Sequence, residues 1–208
     1  MPACCVPGAS HFPQRTLPPM LYQIISLVLD VAVGLVCGTC LLRLYMQQQR
    51  IPMSARAGNP LGPFIFALTD WLVLPLRRVL PKLSAFDLAS LMAALFLQVA
   101  QYLLLWLLQG AAQSLGVVAV LAVFGLLRVA VSGLTGLVMI YALLSWVQAH
   151  SPVRDLLDRL VAPLLSPLRR RMPLMGGVDL SPLALLVLLQ VLSLLTGGLQ
   201  SMALAAVA

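Results

Sequence analysis

The chain has 208 residues, of which 61% are hydrophobic and only 9% are charged, with a formal net charge of +7. Soluble domains carry about a quarter charged residues, so this deficit, with a mean hydropathy of +1.01, excludes an ordinary soluble fold and predicts an all-α membrane protein. The basic excess reads as the one-sided loop charge of such a protein, so direct contact with nucleic acid is not expected.

Residues 1–20 are proline-rich and lack a basic start running into an apolar core; they read as a disordered leader rather than a signal peptide. Leu21 to Met46 is long enough for a first membrane span, which needs about 20 residues. Within it Cys37 and Cys40 read as small packing residues, and Gly34 and Gly38 have the spacing that lets helices approach closely. Arg43, near its end, is expected to snorkel to the interface.

The loop 47–85 carries Arg50, Arg56, Arg77, Arg78 and Lys82. Its "PLGPFIFALTDWLVLPLRR" predicts an apolar interfacial or re-entrant segment that ends near Pro75-Leu76-Arg77-Arg78, where a proline disfavours further helix. A second span covers 86–108, with Asp87 at its start and Gln98 inside it; the connection Gln109 to Gly116 is uncharged. The third span covers about 122–148, preceded by turns at the interface, and holds Arg128 and the small-residue pair Ser132 and Gly136. The loop 149–178 carries Arg154, Arg159, Arg169, Arg170 and Arg171, and its "VRDLLDRLVAPLLSPLRR" has the apolar spacing of an amphipathic interfacial helix. The fourth span covers 179–200, with Asp179 at its start and Gln190 inside it. Arginine and lysine concentrate in the two loops, which places both in the cytoplasm and both termini outside.

The chain is also written twice. Pro75, Leu76, Arg77, Arg78, Pro81, Asp87, Leu88 and Gln98 recur 92 residues later as Pro167, Leu168, Arg169, Arg170, Pro173, Asp179, Leu180 and Gln190. Upstream, Arg43 to Gln47 aligns with Leu144 to Gln148 at an offset of 101. Spacing held this well predicts a duplication, with repeats at 21–114 and 115–208. Each repeat holds two spans, so both point the same way. The predicted fold is four transmembrane helices in two parallel two-helix repeats, each with an interfacial or re-entrant amphipathic segment.

The arginine pairs Arg77–Arg78 and Arg169–Arg170, with Arg171, suit anionic phospholipid or a partner at the membrane surface, each charge contributing about 1 kcal/mol near an anionic leaflet. Asp87 and Asp179 are expected to cap the spans they open, an ion pair to the neighbouring arginines being compatible with that role. Asp30 and Arg128 lie deep in spans, where an unpaired charge costs several kcal/mol, and are expected to neutralise each other. Gln98 and Gln190, at equivalent depth, are expected to hydrogen-bond between helices, or alternatively to line a polar path. With no glutamate, only His11 and His150, and no nucleophile beside a base, neither catalysis nor a metal or cofactor is expected.

The second repeat carries Ser145-Trp146, Pro152, Pro163, Pro167, Arg169, Arg170, Pro173, Gly176, Gly177, Asp179, Ser181 and Pro182. This series resembles the YggT family, also called YlmG-like, over nearly all the chain after the leader. The first repeat departs from the pattern, with Leu44-Tyr45 for Ser-Trp, Trp71 for the first proline and Ala89-Ser90 for Ser-Pro, so the second repeat is the expected seat of any motif-borne function. The resemblance implies a multi-pass protein of the bacterial inner membrane, without a defined activity. It connects bacterial relatives with osmotic stress, ion uptake, division or nucleoid organisation, and some plastid relatives with heme attachment to a membrane cytochrome. The reading favoured here is a non-enzymatic scaffold or assembly factor that meets anionic lipid, further copies of itself or other membrane proteins. The alternatives are a small oligomeric channel or channel modulator and a heme-handling factor using His150.

Overall fold

A computed structural model describes residues 19–51, 61–79, 87–110, 114–147, 152–170 and 180–207. Six helices make up the described chain: α1 (Pro19–Gln48), α2 (Gly62–Val79), α3 (Leu88–Leu108), α4 (Leu115–Val147), α5 (Pro152–Arg169) and α6 (Ser181–Val207). Four of them, at Met20–Gln48, Leu88–Leu108, Leu115–Ser145 and Ser181–Val207, are long and apolar enough to cross a membrane. The chain is a multi-pass, all-helical membrane protein. The third span is continuous from Leu115, so the turns expected at the interface are part of the same helix.

Local chemistry sets the ends. α1 closes in a Schellman motif, in which the amide of Ile51 donates to the carbonyl of Met46 and that of Arg50 to the carbonyl of Gln47, both at 3.0 Å. Arg50 takes the left-handed position at φ 54°, normally a glycine's, and Ile51 packs back on Met46, the apolar contact that accompanies this cap. α3 ends on Gly110 at φ 81°, where a side chain would be strained. α2 runs through Pro75, and α5 through Pro163 and Pro167. Both end within two residues of their Pro-Leu-Arg-Arg stretch, as expected.

The helices pack as two units of one design. α1 and α3 form an antiparallel pair with α2 against both; α4 and α6 form another with α5 against both. The first core is made of small residues, Cys37 and Cys40 on α1 and Ala89, Ala93 and Ala94 on α3, with Leu72 and Val73 of α2. Small side chains let these two backbones approach, and the thiol of Cys37 donates to the carbonyl of Ala94 at 3.3 Å. The second core uses larger residues, among them Val131, Val138 and Tyr141 of α4, Leu157 and Val161 of α5, and Leu185 and Leu189 of α6.

Two contacts join the units. α4 packs on α1 and α3, and Met46, Ile65, Leu156 and Leu160 make a small core where α1, α2 and α5 meet. α2 and α5 therefore lie at the same end of the bundle, here termed the basic face. The glycine patterns do not bring helices together as expected. A methyl group added at Gly34, Gly133 or Gly136 would meet nothing within 4 Å, and one at Gly38 would only touch Val129 at 3.9 Å. Close approach is carried by the alanines and cysteines of the first unit instead.

Candidate functional site

The residue that organises the basic face is Arg43. It does not snorkel. Its side chain is only 2% exposed, because α2 folds across the end of α1 and offers it partners. One terminal nitrogen donates to Thr69 Oγ1 and to Asp70 Oδ1, each at 2.7 Å. The guanidinium lies over the Phe66 ring, 4.8 Å from its centre. Its Nε faces Asp87 Oδ2 at 4.0 Å without a hydrogen bond. The Thr69 hydroxyl in turn donates to the carbonyl of Ile65 at 2.7 Å.

Asp87 completes the cluster. It occupies the N-cap position of α3, and its carbonyl accepts from the amides of Ser90 and Leu91, but its carboxylate makes no capping bond. Oδ2 instead accepts from Arg77 at 2.6 Å and from Ser90 Oγ at 2.7 Å. The expected side-chain cap is therefore not made: the carbonyl accepts the ordinary first-turn bonds, and the carboxylate goes to the ion pair. Two arginines and two aspartates tie α1, α2 and α3 together with no net charge, the arrangement that makes buried charge tolerable. Burial pushes the Asp87 carboxyl up, but hydrogen bonds from Arg77 and Ser90 and the charges of Arg77 and Arg43 outweigh it and hold the group below its ordinary value.

A depressed folded value means that this contribution is fully present above the ordinary aspartate pKa of about 3.9 and is lost as pH falls through the folded value. The unfolding midpoint in detergent should therefore stay level from neutral pH to about 5 and fall below about 4. Asp87→Asn should lower the neutral-pH plateau and flatten the acid limb. A wild-type acid limb unchanged in the variant would show that other groups set it.

The second unit is built differently. At the positions equivalent to Arg43, Thr69 and Asp70 stand Leu144, Val161 and Ala162. Arg169, the counterpart of Arg77, donates to the hydroxyl of Tyr141 on α4 at 3.0 Å. Arg78 and Arg170 are exposed, as lipid or partner contact requires. Pro163 and Pro167 are exposed on α5, Ser145 and Trp146 lie in the last turn of α4, and Ser181 and Pro182 are buried in the first turn of α6. Arg171, Pro173, Gly177, Asp179 and His150 lie outside the described residues. Among the described residues the polar contacts are richer in the first unit.

The intramembrane pair also needs correcting. Among the described residues no ion pair joins Asp30 to Arg128. The side-chain amide of Gln101 donates to Asp30, and Arg128 donates to the hydroxyl of Tyr102 at 3.1 Å. The expected geometry assumed that α1 and α4 are the nearest neighbours at this depth. α3 lies against both, and two consecutive residues on it take one charge each. Gln98 and Gln190 are not equivalent either. Gln98 is 3% exposed, packed between α1 and α4, and its Oε1 finds no partner. Gln190 is exposed, because α6 packs on α4 and α5 only along its other face. Gln109 donates to the hydroxyl of Tyr22 at the far end of α3. Ser90, Gln98, Gln101, Tyr102 and Gln109 thus form a polar line down one helix about 30 Å long. It opens into a cavity of about 550 Å³ lined by Tyr22, Tyr102, Trp106 and Gln109.

Asp70 and the burial of Arg43 were the features that sequence reasoning missed. A signal existed: Arg43 and Asp70 are replaced together in the second repeat, by Leu144 and Ala162, as expected of a charge pair lost as a unit. Among the described residues no three of His, Cys, Asp and Glu converge on a metal-binding point.

Comparison with known proteins places this architecture. The CCB3/YggT family pattern matches residues 19–108 and again 120–200. The chain is 32% identical over 174 residues to "Uncharacterized protein YggT" of Escherichia coli K12, covering 82% of this chain and 87% of that protein. It is likewise 32% identical over 179 residues to a Vibrio alginolyticus protein named "Uncharacterized protein in proC 3'region", covering 85% and 92%. Neither name states an activity, and no solved structure matches the chain significantly. With the family pattern found in both halves and these relatives matched over most of their length, the chain belongs to the CCB3/YggT family.

Proposed function

We propose that this protein is a non-enzymatic scaffold of the bacterial inner membrane, with loops 47–85 and 149–178 in the cytoplasm and both termini outside. It works through the platform that α2 and α5 form on the basic face, which meets anionic phospholipid and a partner membrane protein. The observation that carries this reading is the joining of the two amphipathic helices. Ile65 of α2 packs with Leu156 and Leu160 of α5, and the hydroxyl of Tyr45 donates to the carbonyl of Leu160 at 2.7 Å. Two loops far apart in sequence thus present one surface, on which Arg78, Arg159 and Arg170 are exposed.

A photo-cross-linker placed at exposed Ser166 in cells tests the platform. Discrete membrane-protein adducts are expected. Arg78→Gln with Arg170→Gln should reduce them by about thirtyfold, two charges contributing about 1 kcal/mol each. Adducts that persist at full yield in a stably inserted double variant would refute the platform reading.

The polar line on α3 favours a second reading, a small channel or channel modulator. The exposed position of Gln190 restricts such a path to the first unit. Proteoliposomes decide it, since ion flux no greater than in empty vesicles rejects an autonomous channel.

A further inference from the structure

α1 and α4 run side by side in the same direction. They approach at Gly38 and Val129, and between their halves nearer the basic face lies a slot of about 460 Å³, floored by Leu157 and Leu160 of α5. Its walls are apolar. The polar groups lining it are the Tyr45 hydroxyl, already engaged with the Leu160 carbonyl, and Gln48 at the rim. Water needs two to four polar partners to occupy such a space, and the slot does not supply them. Gly133 and Ile140 on its α4 wall are exposed, so the slot opens sideways at the depth where the surrounding medium is lipid.

The dimensions and the rim identify the occupant. From Gly38 to Gln48 the slot follows α1 for about 15 Å at 1.5 Å per residue, which is half of the roughly 30 Å hydrocarbon core and the depth of one leaflet. Its volume falls within the roughly 300–1,000 Å³ usual for small-ligand sites. At the rim, Arg50 is exposed two residues beyond Gln48 and held outside the helix by its left-handed backbone. On α5, Arg154 and Arg159 are matched in number by Asp155 and Asp158, so among the described residues there Arg50 supplies the excess of positive charge.

We infer that the slot between α1 and α4 binds one acyl chain of an anionic phospholipid from the leaflet on the basic face, with its phosphate at Arg50. The chain acts as a removable wedge at the junction of the two units. The inference does not rest on the scaffold reading, because Arg50 and the slot are separate from Arg78 and Arg170.

The test is native mass spectrometry of the full chain after equilibration with vesicles of equal phosphatidylglycerol and phosphatidylethanolamine. One retained phosphatidylglycerol per chain is expected. Gly133→Leu with Gly136→Leu should fill the slot and lower retention at least tenfold. Since an added methyl at either position meets nothing within 4 Å, the variant should fold with an unchanged or raised unfolding temperature. Arg50→Gln should reduce the preference for phosphatidylglycerol by about fivefold. Retention undiminished in the filled variant, or equal retention of the two lipids by the wild type, overturns the assignment. Disulfide-linked dimers formed through Gly136→Cys, and absent from the unsubstituted chain, would also overturn it by showing that a second copy occupies the slot.

Discussion

Replacing Arg43 with alanine should cost the fold about 2–3 kcal/mol, less than the roughly 3–5 kcal/mol of a fully buried pair, because Asp70 is 38% exposed and Asp87 keeps Arg77. The loss has three parts. Asp70 and Asp87 keep their charges but lose the cation between them, and Thr69 loses a donor at 2.7 Å. Packing over Phe66 is lost as well. The second unit shows how the defect can be repaired, because it fills the same three positions with Leu144, Val161 and Ala162. Arg43→Leu combined with Thr69→Val and Asp70→Ala should therefore recover most of the loss, while Asp87 stays paired with Arg77. Reversible unfolding in mixed micelles measures both. A single substitution costing under about 1 kcal/mol would mean that the cluster is solvated in the membrane and contributes no more than a surface pair. A triple variant no better than the single one would mean that the apolar solution depends on the second unit's own neighbours.

The features legible in the sequence are those written in periodicity and loop charge. Four apolar runs gave four spans, and the spacing around Pro75 and Pro167 gave the two short helices between them. The errors share one physical cause, which is that periodicity reports a residue's depth and face but not its neighbour. Arg43 lies near a helix end, where a long cation ordinarily reaches water. It is buried only because α2 crosses above it with Thr69 and Asp70, and that crossing is a tertiary fact. Asp30 and Arg128 were placed within about one turn of each other in depth, but α3 stands against both α1 and α4, and its Gln101 and Tyr102 bond one charge each. Gln98 and Gln190 illustrate the same point through the repeat. Identical positions in two copies acquire different surroundings because α3 has α4 on its second side, whereas the corresponding side of α6 is exposed. The packing design is the same within each unit, and the junction makes the units unequal.

That inequality bears on where function resides. The second unit keeps the fuller motif, yet its described core is apolar and its Arg169 is tied to Tyr141. The first unit holds less of the motif, and has a charge cluster at one end and a polar line along α3. In a membrane, groups of this kind are costly wherever partners are incomplete, as they are at Arg43 Nε and Gln98 Oε1. The buried polar groups among the described residues are thus divided unequally between the two units, most of them lying in the first.

Gly125 is the position at which this division can be tested most directly. It lies on α4 opposite the polar line, and a methyl group built there would stand 2.8 Å from Gln98 Oε1, 2.8 Å from Tyr102 Cε2 and 3.0 Å from its hydroxyl. Only a residue without a side chain lets Gln98 and Tyr102 lie against α4, where Tyr102 accepts from Arg128. Gly125→Ala should therefore destabilise by about 1–3 kcal/mol through overpacking, although alanine is the better helix former by about 1 kcal/mol. Gly133→Ala, on the same helix but facing open space, should be neutral or stabilising by up to that amount. The pair of glycines thus separates a packing constraint from helix propensity within one element. Gln98→Ala in the Gly125→Ala background should restore part of the loss by vacating the crowded space, and Tyr102→Phe should restore less, because the ring carbon is as close as the hydroxyl. If Gly125→Ala proves as benign as Gly133→Ala in the same unfolding assay, then Gln98 and Tyr102 do not pack against α4 in the membrane. The polar line would then be open on that side, which would move the balance toward the channel reading.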